Sequence, residues 1–173
     1  NKLGAQYIGT GRFREAEAVL ERAHQLNPND TLPLINLGAL HFKEGEGLAS
    51  AAGGGADTRF KTREASYLKA VNMLEEALRL DPADPRANYF LGTALYRIGS
   101  YERAESLLIN ALALDIKMHE ARLTLLNIYI RHRRYDDALK QIALYLQANP
   151  DSPQRDQIEA LRAKINAASA VGR

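Results

Sequence analysis

"GRFREAEAVLERAHQLNP", residues 11–28, places apolar side chains at three- and four-residue steps and stops on a proline. That spacing puts Phe13, Ala16, Leu20 and Ala23 on one stripe of an α-helix. The phrase returns as "GSYERAESLLINALALDI" at residues 99–116 and as "RRYDDALKQIALYLQANP" at 133–150. Tyr67, Tyr101 and Tyr135 stand 34 residues apart, as do Ala70, Ala104 and Ala138, and Leu74, Leu108 and Ile142 keep the same step. A fixed period of this length is the mark of stacked supersecondary units, each unable to bury its apolar side alone. Phe13, Ala16, Leu20, Ala23 and Pro28 match Tyr67, Ala70, Leu74, Ala77 and Pro82 at 54 residues instead, an excess of 20.

The first half of each unit localises that excess. Leu3-Gly4 matches Leu37-Gly38, and Gly11 matches Gly45, again at 34, so the added residues fall between Gly45 and Tyr67. Leu91-Gly92 and Leu125-Leu126 hold the same place in the third and fourth units. Leu34, Leu37 and Leu40, then Val71, Leu74, Ala77 and Leu78, keep helical spacing on both sides of the turn, so each unit reads as a helix pair. In "DPADP", Pro82 ends one helix, Asp84 caps the next and Pro85 opens it; "PDSP" repeats the device with Ser152 and Pro153. Ala16, Ala23, Ala70, Ala77, Ala104, Ala111 and Ala138 recur on the inner side of the second helices, where a larger side chain would overpack.

These positions resemble the tetratricopeptide repeat family: Leu-Gly in a first helix, then a turn glycine, an aromatic, Ala, a large apolar residue, Ala and Pro. The resemblance covers almost the whole chain. It departs from the family in having no Trp, in Ile116 where proline is usual, and in Leu126, Arg133 and Tyr145 where the fourth unit should carry small residues. It implies an all-α fold, a right-handed α-solenoid. Its repeats would span 1–29 (truncated at its start), 30–83 (with an insertion at about 46–66), 84–117 and 118–151. Residues 152–168, with Ile158, Leu161 and Ile165 on one stripe, read as a C-terminal capping helix, the alternative being the first helix of a further repeat.

Composition narrows the chemistry. With 46% hydrophobic and 25% charged residues the chain can build a core. A formal net charge of +2 gives no global basic field of the kind nucleic acid attracts. The absence of cysteine removes disulfides, zinc knuckles and thiol chemistry. No stretch reaches the roughly 18 to 20 apolar residues that cross a bilayer, so no membrane insertion is expected. The opening "NKLGAQYIG" reads as the interior of a helix, which suggests a piece of a longer chain.

The insertion begins with Ala, Gly and Ser, including Gly53, Gly54 and Gly55, a linker-like composition without the Gly-Lys-Ser/Thr of a phosphate loop. Its second half is basic, with Arg59, Lys61 and Arg63, and would extend the following helix backwards by a turn or two. The insertion reads as a surface excursion, with a partner-contacting element as the alternative.

No enzyme, metal or cofactor is expected. His24, His41, His119 and His132 lie in different units without a metal-ligand spacing, and Glu75-Glu76 and Asp136-Asp137 are adjacent pairs that diverge on a helix. What remains is surface. The resemblance implies that first helices line a concave groove. Leu32, Ile35, Asn36, Ala39, Phe42 and Lys43 of unit two would then sit beside Arg86, Tyr89, Phe90, Thr93, Tyr96 and Arg97 of unit three. Unit four would add Glu120, Leu123, Thr124, Asn127, Ile130 and Arg131. The residues expected to bind a partner are Ile35, Asn36, Phe42, Lys43, Arg86, Tyr89, Tyr96, Arg97, Asn127 and Arg131. The partner expected is a protein or peptide with apolar anchors and some acidic residues. The family's clamp for a chaperone's C-terminal carboxylate is matched at Asn36 and Arg86 and broken at Asn1, Ala5 and Phe90, so that ligand is not expected. A structural or self-associating module, forming homo-oligomers within a larger protein, is the second reading. RNA binding through "RHRRY", residues 131–135, is the third and the least supported, because a short basic cluster at a helix end is ordinarily solvated.

Overall fold

The computed structural model describes residues 1–50 and 56–171. All regular structure in them is helical: α1 (Lys2–Gly9), α2 (Phe13–Leu26), α3 (Thr31–Ser50), α4 (Ala56–Leu80), α5 (Pro85–Arg97), α6 (Tyr101–Leu114), α7 (His119–Arg131), α8 (Tyr135–Ala148) and α9 (Arg155–Val171). Consecutive helices pack pairwise along the whole chain, and first helices also pack on one another, α1 on α3, α3 on α5 and α5 on α7. No comparable packing joins α2, α4, α6 and α8 among the described residues. The fold is an α-solenoid of four helical hairpins closed by α9.

The same local chemistry closes each hairpin. Gly11 and Gly99 turn the chain with φ of 73° and 86°, and Arg133 takes φ 55° at the same place in unit four. Behind each of them a backbone amide reaches back to close the turn: Arg12 to Tyr7 at 2.9 Å, Ser100 to Leu95 at 2.9 Å and Arg134 to Tyr129 at 2.8 Å. Between hairpins, Asn27, Asp81, Asp115 and Asn149 end the second helices by donating their amides to the carbonyl four residues back. Asp84 then caps α5 as expected, its Oδ1 accepting from the Ala87 amide at 2.8 Å ahead of Pro85.

Packing inside the hairpins follows from the small residues. Ala16, Ala70, Ala104 and Ala138 are fully buried. A Cβ placed on Gly4, Gly38 or Gly92 would run into Leu20, Leu74 or Leu108, so the Leu-Gly pair lets the first helix close onto the large apolar residue of the second. The aromatic ladder also holds its register, since Phe42 meets Tyr67 at 5.8 Å between ring centres and its counterpart Tyr96 meets Tyr101 at 5.9 Å. One core runs from Leu34 to Ile165, and a smaller cluster of Ile8, Ala16, Leu20, Leu37 and Leu40 joins the first hairpin to the second.

Three expectations change. The insertion lengthens both helices of unit two: α3 has 20 residues and α4 has 25, against 13 and 14 in unit three. Helix α4 begins 11 residues before Tyr67, about three turns rather than one or two, and Gly53, Gly54 and Gly55 lie outside the described residues. Gly45 is therefore not a turn residue. It lies within α3, where a Cβ would collide with the Tyr67 ring. The last helix starts at Arg155, because the Ser152 hydroxyl caps a turn by accepting from the Gln154 amide at 3.2 Å instead of opening the helix. Tyr145 explains why bulk is tolerated where Ala77 and Ala111 stand in the preceding units. It is 6% exposed and its hydroxyl lies 3.1 Å from Ser152 Oγ and 3.2 Å from Gln154 Oε1, fastening the approach to α9. Ile158 and Ile165 of α9 are buried against the last hairpin.

Candidate functional site

The first helices present a mixed face. Lys43, Arg86, Arg97, Asn127 and Arg131 are exposed on it, and Asn36, Tyr89 and Tyr96 are half-buried. Tyr89 and Phe90 are adjacent rings 5.0 Å apart, and Phe90 rests on Phe42 at 6.1 Å, so the aromatic centre bridges α3 and α5. Burial first, and then the nearby carboxylate of Glu120, raise the pKa of Tyr89 above the ordinary phenol value, which keeps the hydroxyl protonated. Glu120 lies on α7, which packs alongside α5.

Two of the expected contact residues belong elsewhere. Ile35 is 1% exposed and Phe42 is 8% exposed; both are core, as are Ala39 and Thr93. The stripe that a first helix turns toward a groove is also the stripe its neighbouring first helix covers. Side chains nearest the neighbour are consumed in packing, and those one step further round remain open.

Arg97 and Arg131 do not stand alone. Arg97 donates from Nη2 to Glu46 Oε2 at 2.7 Å, and the Tyr67 hydroxyl donates to the other oxygen of the same carboxylate at 2.5 Å. Burial and the Glu46 hydrogen bond push the Tyr67 hydroxyl well above the ordinary phenol range. Arg97 lies over the Tyr96 ring at 5.6 Å, and Arg131 reaches back from unit four over the Tyr101 ring at 4.9 Å. At the hairpin edge, Glu46, Arg63, Tyr67, Tyr96, Arg97 and Tyr101 enclose a cleft of about 330 Å³. Glu46 was invisible as a site residue in the sequence, because it lies 51 residues from Arg97 and meets it only once α3 runs past its usual end.

Three of the four histidines have side-chain partners, while His24 has a buried Nδ1 without a hydrogen-bond partner among the described residues. His41 is buried with Nδ1 2.9 Å from Glu44, His119 lies 3.1 Å from Asn149 Nδ2, and His132 stands edge-on to Tyr101. Among the described residues, no group of three or more His, Asp or Glu side chains is arranged to hold a metal ion. Glu75 and Asp137 form ion pairs with Arg103 and Arg134. Within "RHRRY", Arg134 is engaged by Glu105 and Asp137, and Arg131 by Tyr101. No helix among the described residues is long and apolar enough to cross a membrane.

Comparison with known proteins agrees with the architecture. Three tetratricopeptide repeat family models match residues 1–30, 63–118 and 99–165. No curated protein matches the sequence. Among solved structures, MamA superposes with a TM-score of 0.70 at 19% identity, covering 96% of this chain and 84% of its own. A Thermobaculum terrenum O-GlcNAc transferase mutant gives 0.63 at 21%, covering 84% of this chain but only 25% of that enzyme. The Yersinia enterocolitica type III secretion translocator chaperone SycD, in an alternative dimer, gives 0.59 at 20%, covering 76% and 89%. At these identities the likeness is one of fold.

Proposed function

The chain belongs to the tetratricopeptide repeat family, and we propose that it is a noncatalytic scaffold holding a peptide segment of a partner protein along its first helices. One observation carries the reading: Lys43, Arg97 and Arg131 recur at one position in three units, beside the partly open aromatics Tyr89, Phe90 and Tyr96. Direct packing of α1, α3, α5 and α7 on one another, without its counterpart among the second helices, supports placing this face on the inside of the curve. A peptide laid there meets an apolar centre flanked by cations, so it anchors through large apolar side chains and orients through carboxylates. Asn36, Arg86 and Asn127 supply donors for its backbone and polar groups.

The test is charge reversal at two exposed positions, Lys43→Glu with Arg131→Glu. Helicity should be unchanged and capture of the partner from extract weakened about tenfold or more, as expected when attraction becomes repulsion at two contacts. Undiminished capture by the double variant contradicts the reading.

A second reading, self-association, is favoured by a different observation. Leu26, Leu80 and Leu114 occupy one position in three units and are 71%, 43% and 46% exposed, an apolar ladder at the opposite end of the second helices from the aromatic one. SycD, with the same fold, is described as a dimer.

A further inference from the structure

The lengthened hairpin of unit two does more than extend the solenoid. By carrying α3 to Glu46 and starting α4 before Arg63, it builds one wall of the 330 Å³ cleft, and the end of α5 with the start of α6 builds the other. In units three and four the second helix starts at Tyr101 or Tyr135 itself, so no helical turns precede the aromatic to build such a wall. Among the described residues that line it, two guanidinium groups, Arg63 and Arg97, stand with a single carboxylate, Glu46. Arg63, Arg97 and Tyr67 line the same small volume. Arg97 is held by Glu46, and Arg63 has the Phe60 ring at 5.4 Å. Three tyrosine rings supply the remaining walls and reduce the water that would screen an incoming charge. The whole arrangement already shows what it accepts, since one carboxylate is bound in it by an arginine and a tyrosine hydroxyl.

We propose that this cleft receives a carboxylate side chain from an acidic peptide, with Arg63 and Arg97 as its cationic contacts and Glu46 as the intramolecular carboxylate with which it competes for Arg97. The proposal deepens the peptide-scaffold reading and rests on it for the class of partner, but the cleft lies at the hairpin edge and its chemistry can be tested separately. Glu46 sets the threshold. A weak or singly charged segment leaves the Arg97 pair intact, whereas a segment with several carboxylates can engage Arg63 first and then share Arg97.

The experiment is an NMR titration of the intact chain, following arginine side-chain Nε–H signals and backbone amides. The probes are an acetylated pentapeptide of glutamate and leucine, its glutamine counterpart, and inorganic phosphate. The glutamate peptide should shift Arg63 and Arg97 and the glutamine peptide should not. Arg63→Gln should weaken binding about tenfold, the usual scale for losing a charge-assisted contact, while Glu46→Gln should tighten it severalfold. A purely structural Glu46–Arg97 pair would give no gain in affinity on Glu46→Gln, and that result overturns the proposal. So does an equal response to the glutamine peptide, a response to phosphate alone, or no shift at Arg63. Shifts at Asn36 and Asn127 without Arg63 would reject this cleft and leave the first-helix reading standing. Shifts at Arg63 and Arg97 without those amides would support the cleft and reject the groove.

Discussion

Arg133 is the residue at which this chain departs furthest from its own pattern. Gly11 and Gly99 take positive φ at the hairpin turn without a Cβ, while Arg133 holds φ 55° with one. A left-handed conformation costs a non-glycine residue about 1 kcal/mol, and glycine returns part of that gain through its greater freedom in the unfolded chain. Arg133→Gly should therefore stabilise the protein by no more than about 0.5 kcal/mol in urea denaturation; a destabilised variant would mean that the arginine side chain contributes more than the turn costs. The tyrosines give a pH prediction. Burial, and then Glu105, push Tyr129 up to about 12 from an ordinary 10, and Tyr67 is shifted the same way. Because the folded pKa lies above the unfolded one, the stability linked to these groups is complete below about pH 10 and lost as pH rises through 12. Stability measured from pH 9 to 12 should fall, and Tyr67→Phe with Tyr129→Phe should flatten that fall.

The helical hairpins were legible because their constraints are local and repeated. The 34-residue step, the buried alanines and the Asp84 cap all depend on neighbours a few residues away. What the sequence hid is the consequence of length. A glycine-rich insertion reads as linker, yet Glu46 and Arg63 sit on continuous helices, and the contacts of Glu46 with Tyr67 and Arg97 span 21 and 51 residues. The misplacement of Ile35 and Phe42 has a similar cause, since a single helix's apolar stripe does not reveal how much of it the adjacent helix covers. Helix α9 offers the test at this scale. Ile165 is 3% exposed against the last hairpin, and Ile165→Ala should cost about 2–3 kcal/mol. In a solenoid, stability is passed between nearest neighbours. Hydrogen exchange should therefore quicken most in α8 and α9 and least in α2; a uniform acceleration would mean that the array unfolds as one unit.

As a molecule, the chain is a short stack whose first helices pack on one another. Its ion pairs between units, such as Arg103 with Glu75, are largely exposed and contribute little to holding the stack. The joints are made by the apolar core and by repeated turns, and Lys43 and Arg131 remain exposed on the first helices. Site-specific photo-crosslinking in extract measures directly which face meets a partner, with the reactive group at Tyr89 or Asn127 on the first helices, at Ser106 or Lys140 on the second, and at Leu114 on the apolar ladder. The account predicts that a partner protein is captured from Tyr89 and Asn127 and not from Ser106 or Lys140. Capture from the second helices alone, or of nothing but another copy of the chain through Leu114, would contradict it.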